Sequence, residues 1–266
     1  MKSLVKLNIA SSPLQELPSK FVSNHKRLVV LRIMKTNLKN IPEDIGNLKK
    51  LISLWISDSK IETLPSSIGN MKFLKGLILS RNKLKVVPDS IVKLVQLSEL
   101  WLNGNEITAL PKHFETQLNM LSTLYIQNNK LIKLPLSQKL STILAWNNKF
   151  KYIPDDIGEK ASNVQILDVR NNNISTHLPY SIRKLKKKLA HLYMAGNPIC
   201  KTAKYVELVM SSDEVLSTEA KQTLCEQQCA VNCPSVFLDD KYCDDDEEVY
   251  EKQPQSIFFK EIWDAK

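Results

Sequence analysis

Apolar residues return along this chain in a fixed order: one apolar residue, two others, a second apolar residue, one other, a third, then two positions and a small amide or hydroxyl residue. Nine such copies follow one another, with first positions 19 to 25 residues apart. A repeat of this period predicts a solenoid with one short strand per turn, in which each turn buries its apolar face against its neighbours. Two clear copies are Leu97, Leu100, Leu102, Asn105 and Leu121, Leu124, Ile126, Asn129.

Proline follows the apolar ladder in most turns, at a place where a fixed φ and a missing N–H suit an irregular outer segment and would disrupt a central strand. These prolines predict that the chain leaves the sheet at the same point of each turn. They are Pro18, Pro42, Pro65, Pro88, Pro111, Pro135, Pro154 and Pro179.

The small polar column changes character along the chain. It begins with hydroxyl residues, Ser12, Thr36 and Ser59, and then continues with asparagines at 82, 105, 129, 148, 172 and 197. An amide can both donate to and accept from the backbone of adjacent turns, whereas a hydroxyl offers fewer directed bonds. We therefore expect the first three turns to be less tightly laddered. The 19-residue turn that starts at Leu121 should lack most of its outer segment.

The outer segments carry an L-P-x-x-I-x-x-L pattern, as in Leu64-Pro65-Ser66-Ser67-Ile68-Gly69-Asn70-Met71. Over residues 4 to 199 the chain resembles the broad leucine-rich-repeat class, which includes Ras-pathway scaffolds, plant intracellular repeat proteins and many surface proteins. The resemblance implies an α/β fold: a right-handed solenoid of about nine turns with a parallel sheet on the concave face and short irregular or helical outer arcs. It also implies noncatalytic recognition of a protein or peptide, as a scaffold, adaptor or receptor ectodomain.

Cysteine is confined to the end of the chain, at Cys200, Cys225, Cys229, Cys233 and Cys243. We expect residues 1–199 to form the solenoid and 200–266 a cysteine-containing acidic cap or tail. A compact cluster after a cysteine-free body predicts disulfides and an oxidising compartment; reduced thiols and a metal site are the alternatives. Gly196-Asn197-Pro198-Ile199-Cys200 and the later cysteines resemble the end of oomycete-type surface proteins, where repeats lead into a Notch-like cysteine module, but the module's later cysteines and acidic-glycine loop are absent.

Charge divides the chain in the same place. Residues 1–200 hold 30 lysines and arginines against 13 acidic residues, and residues 201–266 hold 7 against 15. The tail could fold back on the basic body, each half could attract its own partner, or both could simply be solvated. The run Lys184, Lys186, Lys187, Lys188 is expected on an outer arc as a solubilising face rather than as a nuclear or phosphate-binding patch.

The N-terminal segment from Met1 to Leu7 already has the pattern of a repeat strand, without a signal peptide or a capping segment. We expect that another part of a longer protein covers this edge or that the true start lies further upstream. The compartment stays open: the tail cysteines favour the cell surface if the chain is a fragment, and the missing signal peptide favours the cytoplasm. There is no run of 18 apolar residues to span a membrane.

Side chains alternate along a strand, so the residue between the second and third ladder positions should face away from the core. This column and the one two positions further are rich in aromatic and charged residues, and Trp55 and Trp101 should lie about 10 Å apart with Ile78 between them. We expect a partner to dock there, on turns three to seven; the alternative is that the rings only stack to stiffen the sheet. The predicted partner-binding residues are Arg32, Trp55, Ile78, Trp101, Tyr125, Trp146, Asp168, Arg170 and Tyr193.

Sequence motifs for catalysis are missing. There is no glycine-rich phosphate loop, G-x-S-x-G or H-E-x-x-H pattern, so we predict no catalytic, cofactor or metal site. His191 is expected near Asp168 of the preceding turn as a surface contact. Two alternative functions are polyanion (glycan or nucleic acid) binding through the basic body, with nucleic acid disfavoured, and the sensor part of a larger signalling enzyme.

Overall fold

The computed structural model describes residues 4–18 and 20–201. These residues form two compact units, 4–129 and 130–201. Cys225, Cys229, Cys233 and Cys243 lie outside the described residues, as does the side chain of Cys200. The predicted disulfides, the Notch-like resemblance and the acidic cap therefore remain predictions.

The first unit contains six strands, and each pairs in parallel with the next one along the chain. The second ladder residue of each turn points into the core, where Leu54, Leu77, Leu100 and Leu124 are completely buried. The strands are β1 (Lys6–Ser12), β2 (Val30–Thr36), β3 (Ser53–Ser57), β4 (Gly76–Ile78), β5 (Glu99–Trp101) and β6 (Thr123–Tyr125).

Short helices form the outer arcs of this unit. Two are single α-helical turns, α1 (Phe21–Asn24) and α2 (Phe114–Gln117), and three are 3₁₀ helices, Glu43–Asn47, Ser66–Asn70 and Asp89–Lys93. The residue before each 3₁₀ helix is a proline with φ between −68° and −66° and ψ of 148°. The proline column thus marks the start of the outer arc, as predicted.

The second unit contains β7 (Thr142–Leu144), β8 (Ile166–Asp168) and β9 (His191–Tyr193), which pair in parallel in chain order. Its helices are α3 (Ile157–Lys160) and two 3₁₀ helices, Tyr180–Leu185 and Pro198–Lys201. Residues 130–141, which open this unit, contain no helix. The 19-residue turn therefore lacks a helical outer arc, as its length predicts.

The asparagine column joins neighbouring turns through their backbones. Asn82 Oδ1 accepts from the N–H of Ile61 in the preceding turn, and its amide nitrogen donates to the carbonyls of Ile56 and Leu79. The hydroxyl column bridges turns only through the 2.8 Å bond between Thr36 Oγ1 and Ser59 Oγ, while the Leu38 N–H bonds to Thr36 of its own turn. The weaker side-chain laddering predicted for the first turns is confirmed.

The residue before this polar column has a positive φ in all nine turns, between 51° and 73°. Glycine and asparagine tolerate this conformation, but lysine and arginine do not favour it, so the sequence offers little sign of it. The sharp bend directs the polar column back into the turn. The nine residues are Ser11, Lys35, Asp58, Arg81, Gly104, Asn128, Asn147, Asn171 and Gly196.

The described residues are therefore an α/β repeat structure with one strand per turn and short outer helices, which confirms the predicted fold class. No helix among them combines the length and the apolar character needed to cross a membrane.

Candidate functional site

The face of the first unit's sheet that points away from the leucine core carries a row of large side chains in register. Arg32 pairs with Trp55, Trp55 with Ile78, Ile78 with Trp101, and Trp101 with Tyr125 on successive strands. We call these five residues the aromatic column. The predicted alternation along the strands places them together.

The rings of the aromatic column pack against one another at tilted angles, 51° between Trp55 and Trp101 and 36° between Trp101 and Tyr125. The Arg32 guanidinium carbon lies 4.3 Å from the centre of the Trp55 ring. The Trp55 and Trp101 ring centres are 6.0 Å apart, and those of Trp101 and Tyr125 are 4.7 Å apart. Since strands two apart are separated by about 10 Å, the two indoles lean towards each other over Ile78, and the expected 10 Å separation does not apply to the rings.

The sequence predicts that the side chains of this face are exposed to a partner, but most of them are buried in the structure. Trp55 and Tyr125 are each 8% exposed, Trp101 is 2% exposed and Ile78 is completely buried. Because buried aromatic rings contribute packing energy, replacing Trp101 by alanine would lower stability as well as remove a contact. A conservative substitution is needed to test function at this position.

A second row lies two positions further along the strands, in the column from which the sequence-based prediction took aromatic and charged residues but not the small polar ones. Ser57, Ser80, Asn103 and Gln127 are all buried there, and we call them the polar row. Trp55 Nε1 donates to Ser57 Oγ at 2.7 Å, and Ser80 Oγ donates to Asn103 Oδ1 at 2.6 Å. Small polar residues two positions after an aromatic column are the signal that could have revealed it.

Two polar atoms of the aromatic column and the polar row have no hydrogen-bond partner among the described residues, and neither does Ser53 Oγ, which lies beside Trp55 on β3. The two atoms are Trp101 Nε1, a donor, and Gln127 Oε1, an acceptor. A buried polar atom without a partner costs about 1 to 3 kcal/mol. The aromatic column and the polar row therefore contain one donor and one acceptor that an added molecule could satisfy.

Burial also acts on the ionisable groups of the aromatic column. Burial lowers the pKa of Arg32. Burial raises the pKa of Tyr125, and the negative charge of Glu99 adds to this shift. Both shifts indicate a poorly hydrated surface, on which hydrogen bonds and charge pairs are stronger than in water.

The second unit carries a smaller group of the predicted residues: Trp146, Asp168, Arg170 and Tyr193. Arg170 makes a bidentate interaction with the Asp168 carboxylate: Nε donates to Oδ1 at 3.0 Å, and Nη2 donates to Oδ2 at 2.7 Å. Its guanidinium carbon lies 5.6 Å from the Trp146 ring centre and 5.3 Å from that of Tyr193. The structure thus brings these four residues together around an ion pair in which the Asp168 carboxylate is buried and Arg170 is partly exposed.

His191 does not pair with Asp168 across the strands. The register places His191 opposite Ile166 and Asp168 opposite Tyr193. The His191 ring stacks on Tyr193, with ring centres 5.9 Å apart and an interplanar angle of 9°. Asp168 pairs with Arg170, and the predicted contact between His191 and Asp168 remains a prediction.

Asp168 should make stability depend on pH. Burial raises the pKa of Asp168, and the hydrogen bonds and charge of Arg170 oppose this only in part. A carboxyl whose pKa is higher in the folded state stabilises most below its unfolded pKa, and this contribution is lost as pH rises through the folded pKa. The free energy of unfolding of the parent minus that of Asp168→Asn should therefore fall between pH 3 and pH 7 in urea titrations. A difference that grows with pH would contradict the raised pKa.

Within residues 4–18 and 20–201, no three His, Cys, Asp or Glu side chains come together in a way that could hold a metal ion. On the outer arc, Lys184 lies at the surface and pairs with Glu159. The arrangement described is one of stacking, hydrogen bonding and ion pairing.

Comparison with known proteins agrees with this geometry. The family model described as Leucine Rich Repeat matches residues 163–185. A disease resistance protein, UNI, from Arabidopsis thaliana is 37% identical over 79 residues, which are 27% of this chain and 9% of that protein. The chain thus matches only a small part of that relative's length.

Solved structures with the same fold include receptor ectodomains. The PEPR1–AtPEP1 complex is 26% identical with a TM-score of 0.66, over 74% of this chain and 29% of that chain. The ectodomain of the Arabidopsis receptor kinase HAESA, in complex with an extended IDA peptide hormone, is 25% identical with a TM-score of 0.57, over 71% and 36%. An internalin from Listeria monocytogenes is 20% identical with a TM-score of 0.64, over 81% and 61%, and shows the fold alone. With the repeated ladder and the structure it forms, these similarities show that the chain has the leucine-rich repeat fold, with one repeat matched by the family model at residues 163–185.

Proposed function

We propose that this protein is a noncatalytic recognition module, of the scaffold, adaptor or receptor-ectodomain type, that binds a protein or peptide on the sheet face of its first unit. The observation that carries the proposal is the aromatic column beside a polar row, with one buried donor and one buried acceptor left without partners among the described residues. Clustered tryptophan, tyrosine and arginine in a desolvated setting are typical of binding hot spots.

The chemistry of the face suits a peptide in particular. A peptide group offers one carbonyl and one N–H, which match the indole donor of Trp101 and the amide acceptor of Gln127. The solved HAESA complex contains a peptide hormone ligand, and at 25% identity it supports the same class of partner for this chain.

Conservative substitutions can remove the hydrogen-bonding atoms of this face while keeping most of its packed side-chain volume. Peptides enriched from a displayed library of random 12-residue sequences would be titrated by calorimetry against the parent and against the double variant Trp101→Phe/Gln127→Met. Because a bound peptide group would lose its partners, we expect the double variant to bind at least about tenfold more weakly.

Trp55→Phe is the matched control. It also removes an indole N–H, but this one already donates to Ser57 Oγ within the protein, so the affinity should fall much less than in the double variant. Equal affinity for the parent and the double variant would place the binding surface elsewhere.

Polyanion binding through the basic body receives less support. Arg81 is paired with Asp58, and Arg170 with Asp168. For Asp58, burial acts to raise the pKa, but the hydrogen bond and charge of Arg81 outweigh it and hold the pKa below its ordinary value. A polyanion would compete with these carboxylates, and a steep loss of binding with salt would reveal such a function.

A further inference from the structure

The buried face of the first unit sets conditions that any occupant must meet. It must provide a hydrogen-bond acceptor for Trp101 Nε1 and a donor for Gln127 Oε1, which are buried and have no partner among the described residues. It must also be largely apolar, because most of the aromatic column is indole, phenol and aliphatic surface. A peptide segment with large apolar side chains meets both conditions.

The sequence contains such a segment at its own end. Residues 254–266 read Pro-Gln-Ser-Ile-Phe-Phe-Lys-Glu-Ile-Trp-Asp-Ala-Lys, with five large apolar side chains: Ile257, Phe258, Phe259, Ile262 and Trp263. They directly follow an acidic stretch that includes residues 244–248. Apolar side chains at this density gain free energy from a surface that removes them from water.

Charge favours the same pairing. Residues 4–129 hold 17 lysines and arginines against 9 acidic residues, whereas residues 201–266 hold 7 against 15. Opposite net charges steer the two parts together, and the effect is greatest at low salt.

We propose that residues 254–266 of this chain bind the aromatic column and polar row of its own first unit as an internal ligand, which an external partner must displace. The inference rests on the proposed function, because it assigns an occupant to the same face. The connecting residues 202–253 number 52, and even at the helical rise of about 1.5 Å per residue a chain of that length spans roughly 78 Å. Because the segment and the face belong to one chain, their contact is intramolecular and can be weaker than that of a separate peptide.

The indole N–H of Trp101 reports directly on this occupancy. In the full-length protein labelled with ¹⁵N at tryptophan, the signal is assigned by its loss in Trp101→Phe, and its exchange with solvent hydrogen is measured. The test variant is Phe258→Ala/Phe259→Ala/Trp263→Ala. The control is Phe237→Ala/Leu238→Ala/Tyr242→Ala, which removes three large apolar residues from the same tail outside the segment.

We expect the Trp101 indole to exchange at least about tenfold faster in the test variant, as loss of a protecting hydrogen bond requires, and at the parent rate in the control. A synthetic peptide of residues 254–266, added to the test variant, should restore slow exchange. Unchanged exchange in the test variant, or a peptide without effect, would overturn the inference.

The two proposals fail in different ways. If the tail substitutions leave Trp101 exchange unchanged but Trp101→Phe/Gln127→Met still weakens binding of the selected library peptides, the face binds external partners only. If the internal ligand exists, the same library peptides should bind the test variant more tightly than the parent, because the competing segment is removed.

Discussion

Asn105→Ala should lower the free energy of unfolding by about 2 to 4 kcal/mol. The Asn105 amide oxygen accepts from the buried N–H of Leu84 at 3.0 Å, and its nitrogen donates to the carbonyls of Leu79 and Leu102 at 3.0 and 2.9 Å. Alanine leaves the Leu84 N–H without this acceptor. The Leu79 carbonyl keeps its bond from the Asn82 amide, and the Leu102 carbonyl keeps its bond from the Asn129 amide. Urea unfolding followed by circular dichroism would measure the change.

Ser59→Ala is the matched control, because Ser59 occupies the same column in a turn where the hydroxyl contacts only Thr36 Oγ1 and the Ser57 carbonyl. We expect a loss within about 1 kcal/mol. If the two substitutions cost the same, the asparagine column would contribute nothing beyond its volume.

Gly69→Ala should lower the free energy of unfolding by about 3 kcal/mol. Gly69 lies in the 3₁₀ helix Ser66–Asn70, and a Cβ there would sit 2.2 Å from the Ser90 carbonyl oxygen of the next outer arc. Because that oxygen belongs to the backbone, rotation of a side chain cannot remove the clash. The outer arcs that contain Gly69 and Ser90 would have to move apart. Thermal and urea unfolding would measure the loss.

Asn70→Ala controls for the effect of alanine on the 3₁₀ helix itself. Asn70 is the next residue of the same helix and is exposed, so its replacement should change stability by no more than about 0.5 kcal/mol. If Gly69→Ala is as stable as the parent, the two outer arcs can move apart at little cost in free energy, and the prediction is wrong.

The repeat pattern predicts the strands well, because a buried ladder residue in one turn needs an equivalent residue in the next. The strand pairs Trp55 with Ile78 and Ile78 with Trp101 follow from this spacing alone. The proline column likewise precedes the 3₁₀ helices that begin at Glu43, Ser66, Asp89 and Tyr180. These features depend on backbone periodicity, which the order of apolar residues records.

The candidate site is less predictable from the same pattern. Alternation assigns Trp55 and Trp101 to one face, but it does not show that their rings lean together over Ile78. Their 6.0 Å separation depends on side-chain torsions set by neighbours in several turns. The burial of Gln127 and the fork between Arg170 and Asp168 depend equally on contacts between side chains.

The sequence by itself determined the repeat, the class of fold, the strand register and which residues share a face, because each of these follows from the period of the apolar ladder. Only the tertiary structure decided that the rings of the aromatic column are buried and packed against one another, that a polar row lies beside them, and that Trp101 Nε1 and Gln127 Oε1 have no partner among the described residues. The physical reason is that periodicity places Cα and Cβ atoms, whereas burial and hydrogen bonding depend on where the outer atoms of long side chains come to rest against their neighbours.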